Sequence, residues 1–192
     1  MKPSFRLLLV PLLVSTCQAQ ERFNTSPVAG WPGLHWGMTP TEVQEAFEGK
    51  AELIPKDEIQ YIIDGPPVLV RIDKLTINGV SYRVRFAFDA IPFTHWSNRT
   101  TTPNGLCRFR MITYPKRTDV HGPTTKIIQP SLEEQFGLPI GEESMGQFQD
   151  HYSVDWSLPS TYVHLEVDIP KAETKNSPVI GVSYSATRPS VE

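Results

Sequence analysis

Two alternating segments flank Asn78-Gly79 and constrain the possible folds of this chain more than any other feature. Every second position on both sides is apolar, namely Val68, Val70, Ile72, Val80, Tyr82, Val84, Phe86 and Phe88. A period of two is typical of a strand with one buried face. Asn-Gly favours a two-residue hairpin, because both turn positions require positive φ. These residues therefore predict an antiparallel hairpin.

Later segments of the chain show similar alternation, and they are 105–114, 152–158, 162–169 and 179–186. In the first of them, Cys107, Phe109 and Met111 share one face, whereas Arg108 and Arg110 share the other. That pattern predicts a buried thiol at Cys107. The same pattern in 162–169 places four apolar side chains on one face.

A short helix is predicted to begin after Thr39. Thr39 is a good N-cap, Pro40 suits the first helical position, and Glu42 completes a capping box. Val43 lies where a hydrophobic staple packs, and Gly49 is expected to end the helix.

A second short helix is predicted near Leu132. Ile128, Leu132 and Phe136 are spaced by four, and Gly137 follows as a stop signal. Pro130 lies inside this pattern, so the helix either begins or kinks there.

The order of helix then strands occurs twice, which predicts an α+β fold of two tandem units. In this fold the helices pack on one face of an antiparallel sheet. The predicted repeats span 34–115 and 122–188 within a single domain, 34–192. The polar, Pro/Gly-bearing residues 20–33 are expected to form an extended lead-in.

The first residues predict a cleavable export signal over 1–19. Lys2 and Arg6 precede an apolar run at 7–14, and cleavage is expected between Ala19 and Gln20. That run is too short to span a membrane, which takes roughly 20 residues. We therefore expect a periplasmic or secreted protein that is soluble after cleavage.

The two cysteines bear on anchoring and on redox environment. Thr16 precedes Cys17, where lipoprotein signals usually place Gly, Ala or Ser, so lipid attachment at Cys17 is disfavoured but stays open. After cleavage only Cys107 remains, which precludes an internal disulfide and favours a bacterial periplasm over a disulfide-rich secreted domain.

The charge balance bears on the class of partner. The formal net charge is −3, and the chain has no long basic run. This composition argues against nucleic acid and against anionic lipid surfaces as partners. Another envelope or secreted protein is the expected partner, and the oligomeric state stays open.

Two motifs resemble those of known exported proteins. The segment Leu34-His35-Trp36-Gly37-Met38-Thr39-Pro40-Thr41-Glu42-Val43 resembles the Leu-x-Trp-Gly-Met-Ser-Pro-x-Glu-Val opening of many small exported bacterial proteins. Phe136-Gly137-Leu138-Pro139 is similar to the Tyr/Phe-Gly-x-Pro that ends their second helix. The chain thus resembles SmpA/OmlA-like outer-membrane assembly lipoproteins and tandem-repeat β-lactamase-inhibitor proteins. The resemblance implies helices on one sheet face, with the other face available to a partner protein.

No complete catalytic motif is present. Gly181-Val182-Ser183-Tyr184-Ser185 lacks the second glycine of a nucleophile elbow, and the chain has neither a phosphate loop nor a dinucleotide fingerprint. The five histidines are scattered, so no metal or cofactor is expected. A hydrolase of unrecognised type would need His151, Asp155 and His164 to converge. Glu166 and Asp168 are two residues apart on one predicted strand and are expected on its solvent-exposed face.

The long connection between two predicted strands, 89–104, is the main candidate for binding. It carries Phe93, His95 and Trp96, and long loops with aromatic residues often bind partners. The alternative is a loop that folds back over the sheet. Trp31 is a second candidate, whereas Trp36 and Trp156 are expected in the core.

These observations favour a non-catalytic protein-binding domain, either an inhibitor or immunity-type protein or an envelope-assembly accessory. A carrier of a small apolar ligand or lipid is the alternative, and it would need an apolar cavity between sheet and helices. An unrecognised hydrolase is the third hypothesis.

Overall fold

The computed structural model describes residues 26–59, 66–90, 103–119, 122, 124–145, 150–170 and 177–186. In these residues the strands are β1 (Glu52–Leu53), β2 (Val68–Ile77), β3 (Val80–Ala90), β4 (Pro103–Thr113), β5 (Gly141–Met145), β6 (Asp150–Ser157), β7 (Thr161–Ile169) and β8 (Val179–Ala186). The α-helices are α1 (Pro40–Ala46) and α2 (Gln129–Phe136). A 3-10 turn lies at Arg117–Asp119, and a π-helical turn at Thr124–Ile128 leads into α2.

All eight strands form one antiparallel sheet with the order β1-β2-β3-β4-β8-β7-β6-β5. The first four and the last four strands are each consecutive in the sheet, and they meet where β4 pairs with β8. No helix in the part of the chain that the structure describes is long and apolar enough to cross a membrane.

The predicted α+β fold of two helix-then-strands units is wrong, because the molecule is dominated by its single sheet. The described α-helices have seven and eight residues, and each buries one side chain, Val43 in α1 and Leu132 in α2. Helices this short cover part of the sheet without forming a layer of their own. Most of the buried side chains come from the strands.

The core lies on one face of the sheet. In one cross-strand row, Phe86, Phe109, Tyr184, Val163 and Trp156 are neighbours on β3, β4, β8, β7 and β6. All five are buried. Alternation along each strand points these side chains to the same face, which removes a continuous apolar surface from water.

Residues 26–36 also pack on this buried face. Val28 and Leu34 are buried, and a β-bridge joins Pro27 to His35. The Trp36 indole donates a hydrogen bond of 3.2 Å to the hydroxyl of Thr161, which is fully buried. The prediction that Trp36 and Trp156 are core residues is confirmed.

The start of α1 agrees with its sequence signals. The Thr39 hydroxyl accepts a hydrogen bond from the Glu42 amide, and the Glu42 carboxylate accepts one of 2.7 Å from the Thr39 amide. The second bond lowers the pKa of Glu42, because it stabilises the charged form. Val43 is buried directly behind this cap.

Thr39→Ala is expected to lower the free energy of unfolding by about 1 kcal/mol, since the Glu42 amide loses its acceptor and the Glu42 carboxylate loses the hydroxyl that donates to it. Urea titration followed by circular dichroism measures the change. Thr41→Ala is the matched control, because Thr41 is exposed on the same helix and should change stability by less than about 0.5 kcal/mol. Equal effects of the two substitutions would show that the cap is not stabilising.

The predicted hairpin is confirmed. Asn78 and Gly79 have φ values of 49° and 80°, and they join β2 directly to β3. The core position predicted for Cys107 is wrong, since that residue is only half-buried. A register shift between β3 and β4 places Leu106 opposite Phe88, so Leu106 fills the core position instead.

The second helix begins at Gln129 and has Pro130 in its first turn, so Pro130 lies at the start of the helix rather than at a kink. Pro130 lies in the first turn of α2, where its missing amide hydrogen leaves no helical bond unmade. Gly137 ends the helix with a φ of 81°, and its carbonyl accepts a hydrogen bond of 2.9 Å from the Trp156 indole. This bond joins the end of α2 to β6.

Candidate functional site

The face of the sheet opposite the core, called here the open face, carries polar side chains. One cross-strand row of this face runs through Arg71, Arg85 and Arg110 on β2, β3 and β4. It continues through Ser183 and His164 on β8 and β7. The row exists because these residues alternate with core residues along each strand.

Three arginines side by side repel one another, and carboxylates offset this repulsion. Arg71 donates to Glu58 at 2.9 Å and also lies 3.6 Å from Glu52. The Glu58 contact is the main cause of the raised pKa of Arg71. Arg85 donates to Asp73 at 3.1 Å. These pairs are partly exposed and screened by solvent, so each contributes little to stability.

The Arg110 side chain extends across the neighbouring strand to an ion-pair partner. Its guanidinium donates to the Glu166 carboxylate at 2.6 Å, which links β4 to β7 over β8. The side chain passes over Gly181, where a Cβ atom would lie 2.9 Å from Arg110 Nε. Gly181 thus leaves the space that the guanidinium occupies.

Arg83 and Arg108 differ from the other arginines of this face. Both are exposed, and neither forms an ion pair with a carboxylate of the described residues. The Arg83 guanidinium lies 5.5 Å from the centre of the Tyr114 ring, a cation–π contact that leaves its charge unneutralised. These two arginines, called here the arginine patch, lie on β3 and β4 on either side of the Arg85–Arg110 pair, because Arg83 is opposite Ile112 and Arg108 is opposite Ala87. Neither charge is offset by a carboxylate of the described residues.

Histidine–aspartate pairs occupy the other half of the open face. His164 Nδ1 lies 2.7 Å from Asp155 Oδ1, and His151 Nδ1 lies 2.7 Å from Asp168 Oδ1. Both pairs are cross-strand neighbours on β6 and β7. In each pair the Nδ1–H donates to the carboxylate, which orients the ring.

The three residues considered for a hydrolase do not form one group, because His151 pairs with Asp168 rather than with Asp155. The register also places Ser183 beside His164, which yields a Ser–His–Asp order across three strands. No hydrogen bond joins Ser183 to His164 within the described residues. The nucleophile-to-base contact that acyl transfer uses is therefore not formed here.

Three side chains of this half have metal-ligating atoms close together. The ligand atoms of His151, Glu166 and Asp168 lie within 4.8 Å of one another. Imidazole with two carboxylates is a donor set that zinc accepts. Arg110 already holds Glu166, however, and a cation would have to displace this guanidinium.

The structure places only some of the residues predicted as binding or processing sites. Phe93, His95 and Trp96 lie outside the described residues, as do Cys17 and the cleavage site at Ala19 and Gln20. Trp31 is half-buried, and its ring packs edge-on against Phe109 and Tyr184 at 5.2 and 6.0 Å. Glu166 and Asp168 lie on the same strand face, and each is bound to a basic side chain.

No protein-family model, no curated protein and no solved structure matches this chain. The resemblance to SmpA/OmlA-like lipoproteins and to tandem-repeat β-lactamase-inhibitor proteins has no support in these comparisons. The arrangement of charged side chains on the open face is therefore the main basis for proposing a function.

Proposed function

We propose that this protein is an exported, non-catalytic domain that binds an acidic surface of another envelope or secreted protein through its open face. The observation that carries the proposal is that Arg83 and Arg108 are both exposed on that face and that neither forms an ion pair with a carboxylate of the described residues. The signal-like pattern of residues 1–19 supports an exported location.

The size of the open face is adequate for a specific complex. Its six longer strands, spaced by about 4.8 Å, present roughly 900 Å² of surface. A standard protein–protein interface buries about 800 Å² on each partner. One sheet face can therefore supply a complete interface.

The chemistry of the face favours carboxylates on the partner. A guanidinium binds a carboxylate with two parallel hydrogen bonds, and arginine is enriched at binding hot spots. The ion pairs of Arg71 and Arg85 hold neighbouring side chains in place around Arg83 and Arg108. An acidic partner would gain these two contacts without breaking an existing ion pair.

The double substitution Arg83→Glu and Arg108→Glu is expected to weaken partner binding at least about tenfold, because it replaces attraction by repulsion. The melting temperature should stay within about 2 °C, since both side chains are exposed. The experiment first uses the purified protein as bait to capture and identify a partner from periplasmic extract. Calorimetry then measures the affinity of each variant for that identified partner.

Lys50→Glu with Lys126→Glu is the matched control. It makes the same change in net charge at exposed lysines next to α1 and in the π-helical turn before α2. Affinity should be retained in the control, and wild-type binding should weaken as salt is raised. Equal loss in both double variants, or binding unaffected by the arginine changes, would refute recognition through the open face.

A further inference from the structure

A cavity of about 430 Å³ lies on the core side of the sheet, between the central strands and α2. Its floor is formed by Tyr82, Met111, Val182 and Tyr184 on β3, β4 and β8. Its volume falls within the range of small-molecule sites, roughly 300–1,000 Å³. Since it is on the side opposite the open face, it is independent of the proposed protein-binding function.

The walls of the cavity are apolar, whereas its rim is polar. Ile127 and Leu132 line it from the helical side, and Trp31 lines it from the turn at residues 26–36. Ser131 and Glu134 are among the polar residues that line it. A ligand with an apolar body suits these walls, because a charged group inside would lose its hydration without gaining a partner.

Tyr82 supplies a hydroxyl to the floor that forms no hydrogen bond within the described residues. Only 5% of the residue is exposed, but its hydroxyl is not among the buried polar atoms without a partner, so it is accessible from the cavity that Tyr82 lines. Burial strongly raises its pKa, so the hydroxyl keeps its proton. The other floor tyrosine, Tyr184, has a hydrogen bond with Trp31, and burial raises its pKa to about 12.

We propose that this cavity binds a small, neutral ligand with a flat apolar body and one carbonyl-type acceptor, to which the Tyr82 hydroxyl donates. The Tyr82 hydroxyl is accessible from the cavity, so a ligand oxygen at this point can accept its hydrogen bond, whereas a purely apolar molecule would displace water and leave that bond unmade. Trp31 and Tyr184 offer aromatic surfaces to a flat body.

The test uses 6-propionyl-2-dimethylaminonaphthalene, a fluorescent aryl ketone whose emission shifts to the blue in apolar surroundings. Titration of the purified protein should show a saturable blue shift. Tyr82→Phe should weaken this binding by about five- to tenfold, since it removes one hydrogen bond and keeps the ring. Tyr114→Phe is the matched control, because Tyr114 is exposed and does not line the cavity, and it should leave binding unchanged.

Ser131→Trp provides an independent block. Ser131 is half-buried at the cavity, so a large side chain there should fill the space and abolish the blue shift. Circular dichroism and the melting temperature establish that each variant is folded. If Ser131→Trp does not fold, the comparison of Tyr82→Phe with the wild type is sufficient to test the proposal. No saturable shift with the wild type, or equal affinity of Tyr82→Phe and wild type, overturns the proposal.

Discussion

Phe109→Ala is expected to lower the free energy of unfolding by about 3–5 kcal/mol, which would remove much of the stability of an ordinary domain. Phe109 is fully buried on β4, near the centre of the sheet. Truncation of a buried phenylalanine loses its transfer free energy and leaves a cavity, because the surrounding strands cannot collapse into the space.

The large effect follows from the neighbours of this ring. The ring of Phe109 stacks on Tyr184 with centroids 4.5 Å apart and planes inclined by 8°. It also lies 5.4 Å from Phe86, 5.2 Å from Trp31 and 6.2 Å from Trp36. All four aromatic contacts are lost together, which places the expected loss in the upper part of that range.

Chemical denaturation of the purified protein measures the change. Leu138→Ala is the matched control, because Leu138 is 88% exposed and its truncation should cost less than about 0.5 kcal/mol. A loss below about 1 kcal/mol for Phe109→Ala would mean that the ring is not part of a rigid core.

Local patterns were sufficient to predict individual elements. The Asn78-Gly79 turn, the Thr39 cap and the alternation of β7 each depend on residues close in sequence, and all three are present in the structure. Such features are encoded in backbone preferences and in side-chain period, which a single sequence contains.

The predicted fold class was wrong because a correctly predicted helix does not reveal how much of the core it covers. Both predicted helices form, but each is about two turns long and buries one residue. The pairing of β4 with β8 joins residues far apart in the sequence, such as Arg108 and Ser185, and no local pattern predicts it. The register shift that leaves Cys107 only half-buried also depends on the partner strand.

The candidate site was harder to predict for the same reason. The alternation predicted that Arg108 and Arg110 lie on the polar face of their strand. The alignment of Arg110 with Arg85 and Arg71, however, depends on the register between strands, which the alternation does not determine. The link between Arg110 and Glu166 also requires β8 to lie between them with glycine at residue 181. Sequence reasoning therefore emphasised aromatic loop residues and missed the arginine patch.

The backbone of Gly105 provides a second test of the core. Gly105 is buried in β4 with a φ of 152°, which L-residues rarely adopt. A Cβ atom there would lie 2.6 Å from both the Cα and the carbonyl carbon of Gly37. Two hydrogen bonds hold this contact in place: the Gly37 amide donates to the Leu106 carbonyl at 2.9 Å, and the Leu106 amide donates to the Met38 carbonyl at 2.7 Å.

Gly105→Ala is therefore expected to cost about 2–4 kcal/mol, because backbone on both sides must separate and both hydrogen bonds weaken. Gly141→Ala is the matched control in β5, where the nearest atom to an added Cβ is Asp155 Oδ2 at 3.8 Å, and stability should stay constant or rise by up to about 1 kcal/mol. Hydrogen exchange should show faster exchange at the Gly37 and Leu106 amides in Gly105→Ala before any other part of the sheet opens. If those amides were as protected in Gly105→Ala as in the wild type, the contact between Gly105 and Gly37 would not be what holds the turn before α1 against β4.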